Sequence, residues 1–176
     1  MSQAKKLDPL SPIINATAGQ FMYYAGQYDV AIKQLRETVE LFPDFWIARL
    51  DLGIVYEQER MYPEAIKEFE KARDLGGTTE ALSLAGHAYA VSGNRRQALK
   101  LLHDLEEQAG QHYVPPYNIA LIYAGLGDKN QALDWLEKGL KIRDVHMVFL
   151  SADPKWDNLR EDLRFKSIIR TIGLTD

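Results

Sequence analysis

Leu52-Gly53-Ile54-Val55-Tyr56-Glu57-Gln58-Glu59-Arg60-Met61-Tyr62-Pro63-Glu64-Ala65-Ile66-Lys67-Glu68-Phe69 is the stretch whose reading decides the fold. A small residue, Gly53, stands three places before an aromatic, Tyr56, and a second small residue, Ala65, follows Tyr56 by nine. Apolar residues fall at helical intervals on both sides of a polar break near Arg60, which predicts two helices folded back on each other. Small residues at Gly53 and Ala65 let the two axes approach, while Tyr56 and Phe69 fill the volume around the crossing.

Nearly every diagnostic position of this stretch recurs. Gly19, Gly53, Gly86 and Ala120 form one column, at intervals of 34, 33 and 34 residues. Three places on stand Met22, Tyr56, Tyr89 and Tyr123; twelve on, Ala31, Ala65, Ala98 and Ala132; sixteen on, Leu35, Phe69, Leu102 and Leu136. Between the two halves lies a turn column of Gly26, Arg60, Gly93 and Gly127, where a left-handed residue would end the first helix. Glycine makes up about 7% of average sequence, so three in four at one column is roughly a one-in-a-thousand coincidence. A fixed period of this length marks stacked supersecondary units, each of which leaves one face apolar until a neighbour covers it.

The columns resemble the tetratricopeptide repeat (TPR), a helix-turn-helix unit. The resemblance implies an all-α, right-handed superhelix of stacked antiparallel hairpins. Four units are expected at 12–45, 46–78, 79–112 and 113–146. Their first helices should span about 12–25, 46–59, 79–92 and 114–126, and their second helices about 28–42, 62–75, 95–109 and 129–142. Arg60 departs from the usual turn glycine, Arg95 and Lys129 replace the aromatic found at Tyr28 and Tyr62, and the closing proline is present only at Pro43. Ala4-Lys5-Lys6-Leu7-Asp8-Pro9 matches the closing turn Leu41-Phe42-Pro43-Asp44, so residues 1–11 read as the remnant of a preceding repeat cut from a longer polypeptide.

After residue 146 the period stops. Met147-Val148-Phe149-Leu150 is apolar, and Asp153-Pro154 supplies an N-cap followed by proline at the first helical position. Trp156, Leu159 and Leu163 then fall on one helical face, Phe165, Ile168, Ile169 and Ile172 on another, with Gly173 as a stop. Residues 147–176 therefore read as capping helices over the fourth hairpin. The stretch Tyr113 to Gly127, with Ala132 to Glu137 and Asp153 to Phe165, further resembles the C-terminal TPR region of large bacterial multidomain signalling and transcription-regulator proteins. That resemblance implies a cytoplasmic interaction arm.

Composition limits the chemistry. The 176 residues carry a formal charge of -4 and no cysteine, so disulfides, thiolate metal sites and cysteine nucleophiles are excluded. An acidic balance argues against a phosphate-backbone binder, and no nucleic-acid partner is expected. No run of eighteen apolar residues and no signal-peptide pattern occurs, so no membrane partner is expected either. His87, His103, His112 and His146 have no metal-ligand spacing, and no nucleophile elbow, P-loop or dinucleotide fingerprint is present. Glu106 and Glu107, or Asp51 and Glu57, read as charged residues on solvated helix faces. Asn15-Ala16-Thr17 matches a glycosylation sequon but falls within a predicted helix. The expectation is a chain without catalytic residues, cofactor or metal.

Function is then sought in the concave wall that the resemblance assigns to the first helices. The wall positions are Ile13, Ala16, Gln20, Tyr23 and Tyr24; Ile47, Leu50, Ile54, Glu57 and Gln58; Glu80, Ser83, His87 and Ala90; Tyr117, Leu121 and Ala124. Tyr23, Tyr24, Leu50, Ile54, Glu57, His87, Tyr117 and Leu121 are the expected partner-binding residues, with tyrosines supplying contact area and a polar tip. For Tyr23 and Tyr117, packing between hairpins is an equal alternative. The wall lacks the lysine, arginine and asparagine set with which some TPR modules grip chaperone C-termini. A non-catalytic protein-protein interaction scaffold is the primary expectation. The alternative is a self-assembly module that forms a homo-oligomer through the ends of its array.

Overall fold

The computed structural model describes residues 8–76 and 79–173. Among them are α1 (Pro12–Tyr24), α2 (Tyr28–Leu41), α3 (Trp46–Gln58), α4 (Tyr62–Asp74), α5 (Thr79–Val91), α6 (Arg95–Ala109), α7 (Pro116–Gly125), α8 (Lys129–Ile142) and α9 (Leu163–Ile172). Two 3-10 turns, Val145–Phe149 and Pro154–Leu159, lie between α8 and α9. The fold is all-α, of the α-solenoid class. Most of the remnant expected at residues 1–11 lies outside the described residues, as does the end of the unit expected at 46–78.

The chain divides into two compact units, Met1–Ala81 and Leu82–Asp176. In the first, α1 pairs with α2 and α3 with α4, and α3 also packs on both α1 and α2. Ala31 and Ala65 are fully buried at the helix crossings, with Leu35 and Phe69 beside them. A Cβ at Gly19 would come within 2.4 Å of Leu35, and one at Gly53 within 2.5 Å of the Phe69 ring, so each glycine is the space its partner occupies. A buried polar set, in which the Gln34 amide donates to Asn15 Oδ1 and Thr38 Oγ1 at 3.3 Å, joins α1 to α2.

The second unit repeats the hairpin with α7 and α8, closed around Ala132 and Leu136. Leu102, Leu105, Val114, Ile119 and Ile122 form its core, with Leu82 and Trp135 against it. Gly86 differs from its column mates, because a Cβ there would meet Ile122 of the following hairpin at 2.5 Å. The glycine column thus serves packing within hairpins at Gly19 and Gly53 but between hairpins at Gly86.

At Tyr56 and Tyr123 the aromatic column ties its hairpin to the one before it. Arg36 Nε on α2 donates to the Tyr56 hydroxyl at 2.5 Å, and the Tyr123 hydroxyl donates to Glu106 Oε1 on α6 at 2.8 Å. Burial, then this hydrogen bond and the charges of Glu106 and Asp128, push the Tyr123 phenol up to about 12.

The turn column holds in all four places. Gly26, Gly93 and Gly127 have φ of 71°, 87° and 78°, and Arg60 adopts the same left-handed conformation at 60°. Met61 N–H donates to Tyr56 O at 2.8 Å, as Gln27 N–H does to Met22 O and Asp128 N–H to Tyr123 O, so arginine closes the same C-terminal motif as glycine.

Two expected boundaries move. The fourth first helix begins at Pro116 instead of residue 114, because a residue preceding proline is pushed out of helical φ/ψ and Pro115 and Pro116 follow one another. The C-terminal segment is not one helix from Pro154. Asp162 accepts the Arg164 N–H at 2.8 Å and starts a separate helix, which leaves Leu163 exposed instead of beside Trp156 and Leu159.

Candidate functional site

The wall positions occupy three to five places along each first helix, and their surroundings differ by place. Ala16, Leu50, Ser83 and Tyr117 form one column, all buried. Tyr23, Glu57 and Ala124, seven residues further along their helices, are buried as well, while Ala90 of the same column is half-buried. The cause in the first unit is the approach of α3 to α1, close enough for Gln20 Nε2 to reach Asp51 Oδ1 at 3.5 Å. Packing between adjacent first helices thus takes up side chains that a single helix, viewed alone, points toward a groove.

The residues expected to bind a partner differ in exposure, and at Tyr23 and Tyr117 the packing alternative describes their surroundings. Tyr23, Leu50, Glu57, His87, Tyr117 and Leu121 offer almost no surface, Ile54 is half-buried, and Tyr24 is 40% exposed. Asp51 and Glu57 are buried too, against the expectation of a solvated face, because α3 is packed by α1, α2 and α4. Glu107 is on the surface as expected. His87 fills the space beside Gly125, where an added Cβ would meet its ring at 2.8 Å.

What stays open in the first unit, besides Ile13, is a strip running between and past the closed columns. Gln20, Ile47, Ile54 and Gln58 are half-buried, and Tyr24 rises at its edge. The Tyr24 ring is held edge-on to buried Tyr23 at 5.1 Å, and the Tyr28 ring lies tilted against Tyr23 at 5.9 Å. None of the five side chains is charged, so the strip suits apolar and amide-bearing chain more than a charged ligand.

In the second unit the 3-10 turn Pro154–Leu159 lies on α7. Trp156, fully buried, donates its indole N–H to the Tyr117 hydroxyl at 3.0 Å, and the Asn158 amide donates to Ala124 O at 2.9 Å. The turn therefore covers on α7 the columns that α3 covers on α1. Trp156 and Asn158 were not recognised as wall-covering residues from the sequence, where Trp156 reads only as part of an end cap.

Asp144 secures the same region. Its carboxylate accepts the Tyr117 N–H at 3.1 Å, the His146 N–H at 3.0 Å and the His146 Nδ1–H at 2.8 Å. Burial pushes this carboxyl up, but the hydrogen bonds from the His146 ring, the His146 N–H and the Tyr117 N–H outweigh it and hold the group below its usual range. Lys155 and Asp153 form a second buried pair at 3.3 Å, and Arg164 bridges Asp134 at 2.6 Å and Glu137 at 2.8 Å, clamping α9 to α8.

Among the described residues no group of three or more acidic or histidine side chains could hold a metal ion, and no helix is long and apolar enough to cross a membrane.

Comparison with known proteins agrees with this geometry. Two family models described as tetratricopeptide repeat match, one over residues 22–78 and one over residues 117–146. No curated protein matches by sequence. Among solved structures the chain is similar to YrrB, described as a TPR protein with an unusual peptide-binding site, at 18% identity and a TM-score of 0.56, over 99% of this chain and 91% of that one. A sequence likeness at this level speaks for the fold. Repeat columns, paired helices and matched segments together establish that the chain carries tetratricopeptide repeats.

Proposed function

We propose that the chain is a non-catalytic protein-protein interaction scaffold that takes an extended or helical peptide segment on the inner strip of its first unit. The observation that carries this reading is the strip itself. Gln20, Ile47, Ile54 and Gln58 stay partly open between and past columns closed by packing, and Tyr24 stands at the rim on a ring stack that fixes its orientation. A rigid aromatic with a polar tip next to a branched aliphatic is the kind of pair that dominates binding energy at small interfaces. Within the set read from the sequence, Tyr24 and Ile54 are the contacting residues, and Tyr23, Leu50, Glu57, His87, Tyr117 and Leu121 act by holding the helices that present them. That YrrB is a TPR protein with a peptide-binding site supports the class of partner. A role as the cytoplasmic interaction arm of a larger bacterial protein fits the same reading.

The test is selection of peptides from a displayed random library against the purified chain, followed by calorimetry. Ile54→Lys and Tyr24→Ser should each weaken the selected peptides at least about tenfold, with the far-UV spectrum unchanged. Failure to select any peptide, or equal affinity for wild type and both variants, would overturn the strip as the site.

A further inference from the structure

The 3-10 turn Val145–Phe149 has two unlike faces. Side chains three apart eclipse one another in such a turn. Met147 and Leu150 share the buried face, where Met147 Sδ lies 3.1 Å from the place a Cβ on Gly139 would take. Val145 and Val148 share the outer face, 75% and 53% exposed. Ile142, three places earlier at the end of α8, is exposed as well, and so is Tyr113. Asp144 joins the two segments. It accepts the Tyr117 N–H from the start of α7, and its charge adds to the desolvation that pushes the Tyr113 phenol up. Single exposed aliphatics are ordinary, but four large apolar residues at one corner of the second unit make a patch.

The charge beside this patch has one sign. Lys141 and Arg143 are exposed, and among the described residues neither side chain forms an ion pair. The carboxylates nearest in sequence are taken. Asp144 is buried beneath its three donors, and Glu137 and Asp134 are bound by Arg164. Arg143 also holds a left-handed backbone, with φ of 58°, where the Asp144 N–H donates to Gly139 O and the Arg143 N–H to Leu140 O. Glycine would close this C-terminal motif without strain. A guanidinium is thus kept beside exposed apolar side chains, in a chain of net charge -4, at a position that disfavours any side chain.

We propose that Tyr113, Ile142, Val145 and Val148, flanked by Lys141 and Arg143, form a second docking surface, for an acidic peptide segment of a partner protein that carries apolar side chains among its carboxylates. Charge complementarity selects this occupant. The apolar side chains of the segment cover the valines, and its Asp or Glu residues meet two cations that have no carboxylate of their own to leave. A two-fold contact with a second copy would bring Lys141 and Arg143 against their own counterparts. An anionic bilayer calls for a cluster of about 4–8 cations, more than flank this patch. Ile54 and Tyr24 belong to the first unit and the patch to the second, so either surface can fail without the other.

Selection from a displayed random peptide library on the full chain, with counter-selection against Val148→Glu, isolates clones that need the patch. These peptides should carry Asp or Glu among large apolar residues and weaken at least about tenfold on Val145→Glu. They should weaken about two- to fivefold on Arg143→Gly, which relieves the left-handed backbone and so keeps the fold. Their affinity should fall as salt rises and stay unchanged on Ile54→Lys. Recovery of no clone, recovery of neutral or basic clones only, or equal affinity for wild type and Arg143→Gly would each overturn the proposal. So would a wild-type dimer in sedimentation velocity that Val148→Glu abolishes, or co-sedimentation with phosphatidylserine vesicles that Val148→Glu abolishes, since either gives the patch another occupant.

Discussion

Trp156 donates its indole N–H to the hydroxyl of Tyr117 across 39 positions of sequence, with the two rings edge-to-face at 5.2 Å. A tryptophan from a short 3-10 turn thereby takes the place on α7 that a neighbouring first helix takes on α1. Removing the indole by Trp156→Ala should cost about 3–5 kcal/mol through the cavity it leaves. Tyr117→Phe keeps the volume but strands a buried N–H, and should cost about 1–3 kcal/mol. Urea unfolding of both variants gives these values, and the ranking Trp156→Ala above Tyr117→Phe is the expected outcome.

The contact between Gly53 and Phe69 makes a second prediction. A methyl at Gly53 would sit 2.5 Å from a ring that is fully buried and has nowhere to swing, so Gly53→Ala should destabilise by about 1–3 kcal/mol. The fourth hairpin already uses alanine at this column, Ala120, with Leu136 in place of the ring. Gly53→Ala/Phe69→Leu should therefore be more stable than the sum of its single changes predicts, by a coupling of about 0.5–3 kcal/mol in a double-mutant cycle.

Arg60 holds a left-handed conformation that costs a residue with a Cβ about 1–2 kcal/mol. Arg60→Gly should relieve most of it, less the greater freedom glycine has when unfolded, for a net gain of a few tenths to about 1 kcal/mol. Gly93→Ala, at the equivalent turn with φ of 87°, should lose a comparable amount. Thermal melts of the two variants should move in opposite directions.

Asp144 gives the second unit a pH dependence of known sign. Its carboxyl is held below its usual value in the folded chain, so the stability it adds is full above the unfolded pKa and disappears as pH falls through the folded one. The stability difference between wild type and Asp144→Asn should therefore be present at neutral pH and shrink as the pH drops below about 4. Denaturation curves at a series of pH values measure it, and a gap that widens on acidification would contradict the assignment.

The repeat made much of the helical architecture legible, because a small residue, an aromatic and an alanine at fixed spacing betray a helix crossing wherever they occur. The open strip was legible only in part. Leu50 and Tyr117 point inward on their own helices as the pattern says, but burial depends on how closely the next first helix or the 3-10 turn approaches, and no single column records that distance. Trp156 lies where the period has ended, so nothing in its neighbourhood marks it as the cover of α7. The turn at Arg60 was legible from its column although no glycine stands there, because φ is a property of the backbone, and hydrogen bonds from the Arg60 and Met61 N–H groups hold it where side-chain preference does not.

The tyrosine staples carry a consequence for rearrangement of the array. Tyr56 accepts from a guanidinium on the hairpin before it, whereas Tyr123 donates to a carboxylate there. A tyrosine hydroxyl both donates and accepts, so exchanging the second and fourth hairpins would still offer the Tyr123 phenol a guanidinium donor at Arg36 and the Tyr56 phenol a carboxylate acceptor at Glu106. A tyrosine at this column can therefore staple its hairpin to a predecessor of either charge, and the order of the repeats is set by packing rather than by these hydroxyls.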